Sequence, residues 1–400
     1  MTDARIIRII DVQKDTVTFV TGATQMTVAW PDALPRVGDV YKAVLQPDFA
    51  PLEKIAAGGA HTAWHQSDSL RWRHPLPDGQ TRMDILAARH KIKRAVRDYF
   101  DAEGFLEIDM PLLVRGTTPD AEVPSFAVED RYLVPSCEYQ IKRMEIGGFD
   151  RLYTLTQNFR AKDHGAYRNP EFTMLEWARV GAALGDIETD AENVIRAAWR
   201  ALAGDKPLVY QGRSIDINGT WQRQTVRAAL GEHSGVAVPD FSAETLAAVA
   251  RALGVQIAET QLGDAGFLFS VVFEEIQPKL GLERPVFITE WPQHMTASAD
   301  ADAGGAFTVR SELFIAGIEL SDGFPSLTDP QRQQQSFAAQ QACREKRGYD
   351  TVALDEKFLQ AMTEGFPKGA GMALGFDRLV MLLTNQTTLK PVLAFDWDEL

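Results

Sequence analysis

The sequence predicts an α+β fold, an antiparallel β-sheet flanked by helices and preceded by a small barrel-like β module. Three observations carry this. Residues 1–58 hold four short runs rich in β-branched and aromatic residues, RIIRIIDV, TVTFV, MTVAW and VYKAVL, cut by Gly22, Pro31, Pro35 and Gly38-Asp39. Residues 150–177 hold two segments that alternate with period two around a polar loop, the pattern of an antiparallel hairpin. Apolar residues recur at helical spacing over Met83–Ala102 and again in Ala-rich stretches beyond residue 185.

Taken in order, the β module spans 1–58, a Gly-, His- and polar-rich linker 59–80, and a larger domain 81–400. The module carries Arg5, Arg8, Lys14, Arg36, Lys42 and Lys54 against Asp3, Asp11, Asp15, Asp32, Asp39, Asp48 and Glu53, a net charge of -1. Small barrels often bind nucleic acid, but this one has no basic stripe, so a docking or structural role is expected. Within the helix over 83–102, Ile85, Leu86, Ile92, Ala95, Val96 and Phe100 form one apolar face. Gly104 ends it, and Phe105–Ile108 continue as a strand towards Pro111. Residues 185–285 read as a largely helical insertion or bridge without recognisable chemistry.

Composition narrows the function classes. With 41 Lys+Arg against 55 Asp+Glu, the net charge of -14 argues against a surface that coats nucleic acid throughout. The two cysteines, Cys137 and Cys343, fit neither a disulfide framework nor a zinc site. No apolar run reaches the ~20 residues of a membrane span, and MTDARIIRIIDVQ lacks the apolar core of a signal peptide. A cytoplasmic protein is expected.

Two segments carry chemistry. In DRLYTLTQNFRAKDHGAYRNPEFTMLEW, residues 150–177, strand alternation places Phe172, Met174, Glu176 and Ala178 on one face. Arg160, Lys162 and Arg168 converge beside it, a cluster suited to clamping phosphates; alone, it could equally be a surface hairpin with ordinary ion pairs. In KGAGMALGFDRLVMLLTN, residues 368–385, Gly369, Gly371 and Gly375 permit close backbone approach before Asp377-Arg378 opens an apolar helix. This pattern matches neither a Walker A loop nor a dinucleotide fingerprint.

Together, in this order, the segments resemble motifs 2 and 3 of the class II aminoacyl-tRNA synthetases, in the lysyl, aspartyl and asparaginyl subgroup. Motif 2 is Phe159-Arg160 with Asn169-Pro170-Glu171-Phe172-Thr173-Met174-Leu175-Glu176, and motif 3 is Gly371-Met372-Ala373-Leu374-Gly375-Phe376-Asp377-Arg378. The helix and strand before Pro111 stand where the dimer-forming motif 1 belongs, so a homodimer is expected. The resemblance covers about 80–400. It is greatest to the lysyl-tRNA synthetase paralogues that aminoacylate elongation factor P, through Ser136–Arg143, Gly317–Leu320, Gly323-Phe324, Leu327–Asp329 and a Gln-rich helix start.

The resemblance implies ATP-dependent formation of an aminoacyl adenylate. It assigns Arg160 to the α-phosphate and substrate carboxylate, Arg378 to the γ-phosphate, and Phe172 to adenine. Asp163, Arg168 and Gly375 join the ATP site, and Glu312 with Glu319 would hold Mg²⁺. Those two glutamates are seven apart, an odd number that puts them on opposite faces of a regular strand; a bulge at Gly317 would correct this. Ser136, Glu138, Glu176, Ala178, Asp322, Gly323 and Ser326 would line the amino-acid pocket, with Glu138 receiving the α-ammonium.

Four positions depart from the subgroup. Lys162 replaces the motif 2 Glu that accepts from the adenine amino group, for which Asp163 could substitute. Ala178 and Ser326 replace the tyrosine and second carboxylate of lysine-specific relatives, and Ser326 also replaces the arginine of aspartyl and asparaginyl ones. Asp322 replaces an asparagine beside the substrate carboxylate and would repel it unless a cation or proton intervenes. The expected pocket keeps Glu176, is roomier and lacks a cationic anchor, which suits a basic or amide-bearing amino acid. A competing reading pairs Glu176 with a protein cation such as Arg143. The expected acceptor is a protein such as elongation factor P, or a small molecule, with tRNA disfavoured by the short acidic module. The alternatives are a tRNA synthetase with a reduced tRNA-binding module and a non-catalytic regulatory paralogue.

Overall fold

The computed structural model describes residues 4–14, 16–21, 24–31, 33–37, 39–45, 49–56, 68–120, 123–292, 298–300 and 307–400. Residues 59–67 of the expected linker, and the turn residues Gly22 and Gly38, lie outside these. The chain divides into two compact units, Met1–His90 and Lys91–Leu400.

In the first unit, strands β1 (Ala4–Val12), β2 (Thr16–Thr21), β3 (Thr24–Ala29), β4 (Val40–Val44) and β5 (Ala50–Ala56) form one sheet in the order β3-β2-β1-β4-β5. All of its pairings are antiparallel, and among the described residues β3 and β5 do not close it into a barrel. Four strands coincide with the runs read from sequence. The fifth, APLEKIA, escaped because it carries Pro51 and two charges, which an edge strand tolerates. Ile7, Ile9, Val17, Phe19 and Ala43 form the core, with Trp30, Tyr41 and Phe49 packed on it.

Helix α1 (Arg82–Ala102) opens on a capping box, in which Thr81 Oγ1 accepts from Asp84 N and Asp84 Oδ2 accepts from Thr81 N. Ile85, Ile92, Val96 and Phe100 are fully buried, as the periodicity requires. Phe100 lies 4.7 Å from Tyr153 and 5.5 Å from Trp177, ring centre to ring centre. Gly104, at φ 76°, turns the chain into β6 (Leu106–Glu107), a shorter strand than the sequence suggested. The strands β7 (Leu113–Val114), β8 (Ala127–Val128) and β9 (Arg131–Leu133) make a small side sheet before α2 (Glu138–Ile146).

The predicted hairpin is β10 (Arg151–Phe159) and β11 (Glu171–Val180), in register from Arg151↔Arg179 to Phe159↔Glu171. Helix α3 (Leu184–Ala203) follows, then the hairpin β12 (Leu208–Tyr210) and β13 (Arg213–Ile215), and strand β14 (Gln222–Thr225). Three helices come next, α4 (Val226–Ser234), α5 (Ala243–Ala252) and α6 (Ala265–Ile276), with N-caps Thr225, Ser242 and Asp264. The remaining elements are β15 (Val286–Pro292), β16 (Phe307–Ile315), β17 (Ile318–Pro325), α7 (Pro330–Lys346), α8 (Glu356–Met362), β18 (Gly369–Gly375) and α9 (Phe376–Leu383).

An eight-stranded sheet, ordered β14-β15-β16-β17-β18-β11-β10-β6, organises the second unit. Its six inner strands are antiparallel, and β14 and β6 add to the edges in parallel. This is the α+β architecture expected. The α4–α6 cluster buries Leu246, Leu268, Phe269 and Val272 against Ile288, Trp291 and Phe314 of the sheet. Helix α3 packs on one face of β16, β17 and β18, where its Glu188 accepts from Ser311, and the other face of the middle strands β11, β18 and β17 is left to build a site.

Candidate active site

Register decides which side chains meet. Residues opposed on neighbouring strands share a face. One row therefore runs Thr154, Glu176, Ala373, Asp322, Glu312, because each is the cross-strand partner of the next. The adjacent row on that face runs Ala178, Gly371, Phe324. On β18, alternation gives this face Gly371, Ala373 and Gly375, while Ala370, Met372 and Leu374 are buried on the other. The glycine-rich motif is thus a strand whose small residues floor a trough with carboxylates on both sides. Strand spacing sets Glu176 roughly 10 Å from Asp322.

Glu176 is 4% exposed, and its carboxylate accepts from Ser136 Oγ and from the backbone N–H of Cys137, both at 2.8 Å. Burial raises its pKa to about 7 against these two hydrogen bonds. Arg143 does not pair with it and lies 3.9 Å from Asp355 instead. Glu138, also on α2, accepts from Lys142 Nζ at 2.6 Å. Lys142 is buried, and its ammonium lies 5.4 Å from the Phe324 ring centre and 3.5 Å from the Ser298 carbonyl. The pocket therefore does contain a cation, contrary to the sequence reading. The i,i+4 spacing from Glu138 was the signal that could have revealed it.

Across the trough, Arg310 Nε donates to Asp322 Oδ1 at 2.8 Å and Arg310 Nη2 to Glu312 Oε1 at 2.5 Å. Its guanidinium lies 4.9 Å from the Trp291 ring centre. Asp322 thus has the intervening cation that its position demanded. Burial raises the pKa values of Glu312 and Asp322 while Arg310 opposes the rise. Sequence reasoning passed over Arg310, although its i,i+2 spacing from Glu312 on a strand places both on one face.

Glu312 and Glu319 do not lie on one strand, as had been expected. They sit on β16 and β17, joined by a tight turn in which Ala316 and Gly317 both have positive φ. The bulge falls at Leu320, where Leu313 pairs with Ser321 and Phe314 with Glu319. That extra residue turns Glu319 to the face of Glu312 and Asp322. Gly317 serves the turn and a close approach, since a Cβ there would lie 2.8 Å from the Pro278 carbonyl oxygen. Two hard carboxylates on one face suit Mg²⁺, which commonly takes one or two such ligands and completes its shell with substrate phosphates and water. Among the described residues no cluster of three or more acidic, His or Cys side chains offers an all-protein metal cage.

Arg160 follows β10 with its guanidinium 5.2 Å from the Phe172 ring centre, and its Nε is buried without a hydrogen-bond partner. Burial lowers its pKa, against the attraction of Asp163 and Glu319. In the motif 2 loop, Lys162 has φ 63°, and Asp163 accepts from Arg168 at 3.2 Å. Arg378 Nε donates to the Tyr167 carbonyl at 3.1 Å, and its Nη1 donates to the Glu319 carbonyl at 2.9 Å and lies 3.4 Å from the Glu319 carboxylate. The neighbouring Asp377 accepts from Thr173 N at 2.8 Å, tying α9 to β11. Ser326, 7% exposed, ends the Asp322-Phe324 alternation and pairs through its backbone with Ala299 and Gly369. A Cβ on Gly323 would lie 2.6 Å from Met372 Cε, so this position faces the packed side of the sheet rather than the trough.

Arginines at one end of an antiparallel trough, beside an aromatic ring, with carboxylates on both sides of its glycine- and alanine-lined floor, make a site suited to a nucleotide phosphate chain. The family model of the class II tRNA synthetases (D, K and N) matches residues 69–398. Among curated proteins, a "Lysine--tRNA ligase" of Pelotomaculum thermopropionicum is 32% identical over 349 residues, 83% of this chain and 68% of the relative. One of Streptococcus mutans is 34% identical over 322 residues, 78% and 64%, and one of Pasteurella multocida is 31% identical over 346 residues, 80% and 68%. The matched part thus spans about two thirds of each relative. The chain belongs to the class II tRNA synthetases of the D, K and N type, and it is an ATP-dependent ligase. No helix among the described residues is long and apolar enough to cross a membrane.

Proposed function

We propose that the chain activates a basic or amide-bearing amino acid with ATP and transfers it to an acceptor other than tRNA, a protein such as elongation factor P or a small molecule. The observation that carries the activation step is Arg160 Nε, a buried donor with no protein partner beside the Phe172 ring. Such a donor calls for a ligand acceptor. A phosphate oxygen there, with adenine against Phe172 and the distal phosphates towards Arg378, fits the trough.

The substrate carboxylate oxygen attacks the α-phosphorus; the new O–P bond forms as the bond to pyrophosphate breaks, and the electron pair leaves on pyrophosphate. Catalysis then rests on alignment and on charge placed before the reaction begins. Arg160 meets the negative charge that grows on the α-phosphoryl oxygens, and Arg310 keeps Asp322 from repelling the incoming carboxylate. Glu312 and Glu319 would hold Mg²⁺, which neutralises phosphate charge. Glu138 receives the α-ammonium, and Glu176 faces the substrate's side chain, with Ala178 and Ser326 near it. Asp163 and Arg168 line the nucleotide entrance, and Gly375 gives the backbone room. A homodimer through the Pro111 segment, in the cytoplasm, completes the reading.

ATP–pyrophosphate exchange across a panel of amino acids tests the substrate class: signal with aspartate and none with amines or amides overturns it. Incubating the labelled product with cell extract and with total tRNA then separates acceptors. Label on a protein or small molecule supports the proposal. Label on tRNA supports the second reading, a tRNA ligase with a reduced N-terminal module, which the printed names of the relatives favour.

A further inference from the structure

Helix α2 carries a polar stripe between its two apolar faces. Cys137, Ile141 and Met144 pack into one core with Ala178, and Tyr139 and Ile146 into another with Phe337 and Phe358. Between them, at helical spacing i, i+4, i+7, stand Glu138, Lys142 and Glu145. Lys142 is buried and bonded to Glu138 one turn towards the N-terminus. Glu145, three residues towards the C-terminus, is 3% exposed, and its Oε2 has no hydrogen-bond partner. A buried lysine thus has a carboxylate on each side within side-chain reach and uses one of them.

An unpaired buried carboxylate is costly, and nothing in the activation chemistry uses Glu145. Its neighbour also raises a difficulty for substrate entry. If the substrate's ammonium takes Glu138, Lys142 loses its counter-ion in a place water does not reach. We propose that Glu145 is the second seat of the Lys142 ammonium: when the amino acid's α-ammonium occupies Glu138, Lys142 swings one turn along α2 and pairs with Glu145. Glu145 is then a positioning residue for amino-acid binding, and the lysine acts as a counter-ion that yields its place to substrate. Burial raises the Glu145 pKa to about 7, with Lys142 already opposing the rise, as a seat within range of that ammonium requires.

This rests on the reading of Glu138 as the α-ammonium acceptor, so the test has two arms. In the first, thermal melting of the ligand-free chain compares wild type, Glu138→Gln, Glu145→Gln and the double variant, in Lys142 and Lys142→Met backgrounds. Each single variant leaves Lys142 one seat, so the double loses more than the sum of the singles, and Lys142→Met removes the excess. Additive losses, or an excess that persists without Lys142, overturn the proposal. If Glu145→Gln does not fold, Glu145→Leu takes its place in the same cycle.

The second arm is pyrophosphate exchange. Glu145→Gln raises KM for the amino acid about tenfold, with kcat and KM for ATP within twofold, and Lys142→Met in the same chain restores it. An unchanged amino-acid KM overturns the switch. Absence of exchange in the wild type refutes the proposed activity instead, and the melting cycle still decides on the two seats.

Discussion

Glu176 gives the proposed amino-acid pocket a pH dependence whose size follows from its surroundings. Its pKa is raised to about 7 by burial, so it is about one-tenth ionised at pH 6 and about nine-tenths at pH 8. A substrate that brings an ammonium group to this carboxylate needs the ionised form. The proton held at pH 6 must leave before the pair forms, which weakens binding about tenfold relative to pH 8. The assay is ATP–pyrophosphate exchange at saturating ATP, with KM for the activated amine-bearing amino acid measured from pH 6 to pH 8. KM should fall about tenfold across the range and level off above it. Glu176→Gln, which cannot titrate, should flatten the profile and raise KM at pH 8, since its amide accepts only one of the hydrogen bonds from Ser136 and Cys137. A flat wild-type profile, or a slope that survives in Glu176→Gln, refutes the reasoning.

Without ligand, the same carboxyl works against the fold as pH rises. Its folded pKa lies above the ordinary glutamate value of 4.5, so the stability linked to its proton is fully present below about 4.5 and lost as pH rises through about 7, on the order of 3 kcal/mol; the difference in urea midpoint between wild type and Glu176→Gln should trace that window. Arg160→Ala should lower kcat/KM for exchange at least about a hundredfold, as loss of a phosphate-facing donor does; full activity in that variant would contradict the motif 2 assignment. Arg310→Met strips Asp322 and Glu312 of their shared counter-ion and should cost about 3–5 kcal/mol in urea unfolding. Gly281→Ala should cost about 1–3 kcal/mol from its left-handed φ of 66° alone, and more because its Cβ would overlap the Phe314 carbonyl, seen as a fall in melting temperature.

Much of the fold was legible because period and punctuation are local properties. The β10–β11 hairpin, the apolar face of α1 and four of the first five strands are written in runs of neighbouring residues. Strand β5 was not, since an edge position forgives proline and charge. The site was legible where a motif is contiguous, as in Arg160 with Phe172 or Gly371–Arg378. It was illegible where two strands combine. The spacing of Glu312 and Glu319 suggested one strand with a bulge at Gly317, whereas a turn and a bulge at Leu320 achieve the same alignment. Gly323 was placed in the pocket from its motif, yet strand alternation gives it the packed side, against Met372. Arg310 and Lys142 escaped for a related reason. A cation's role depends on which carboxylates surround it, and those come from register and helix phase.

The hydrogen bond from Thr173 N to Asp377 joins residues adjacent to Phe172 and Arg378. The two groups proposed to hold opposite ends of the nucleotide are thereby fastened to a common brace, and their separation is set in the folded chain. Such a brace works as a gauge. In the proposed site it would read the length of the molecule laid along it, and a nucleoside monophosphate or diphosphate, however well its base stacks, would reach only one end. Selection for a triphosphate would then reside in a backbone amide and a buried carboxylate, neither of which needs to touch the ligand.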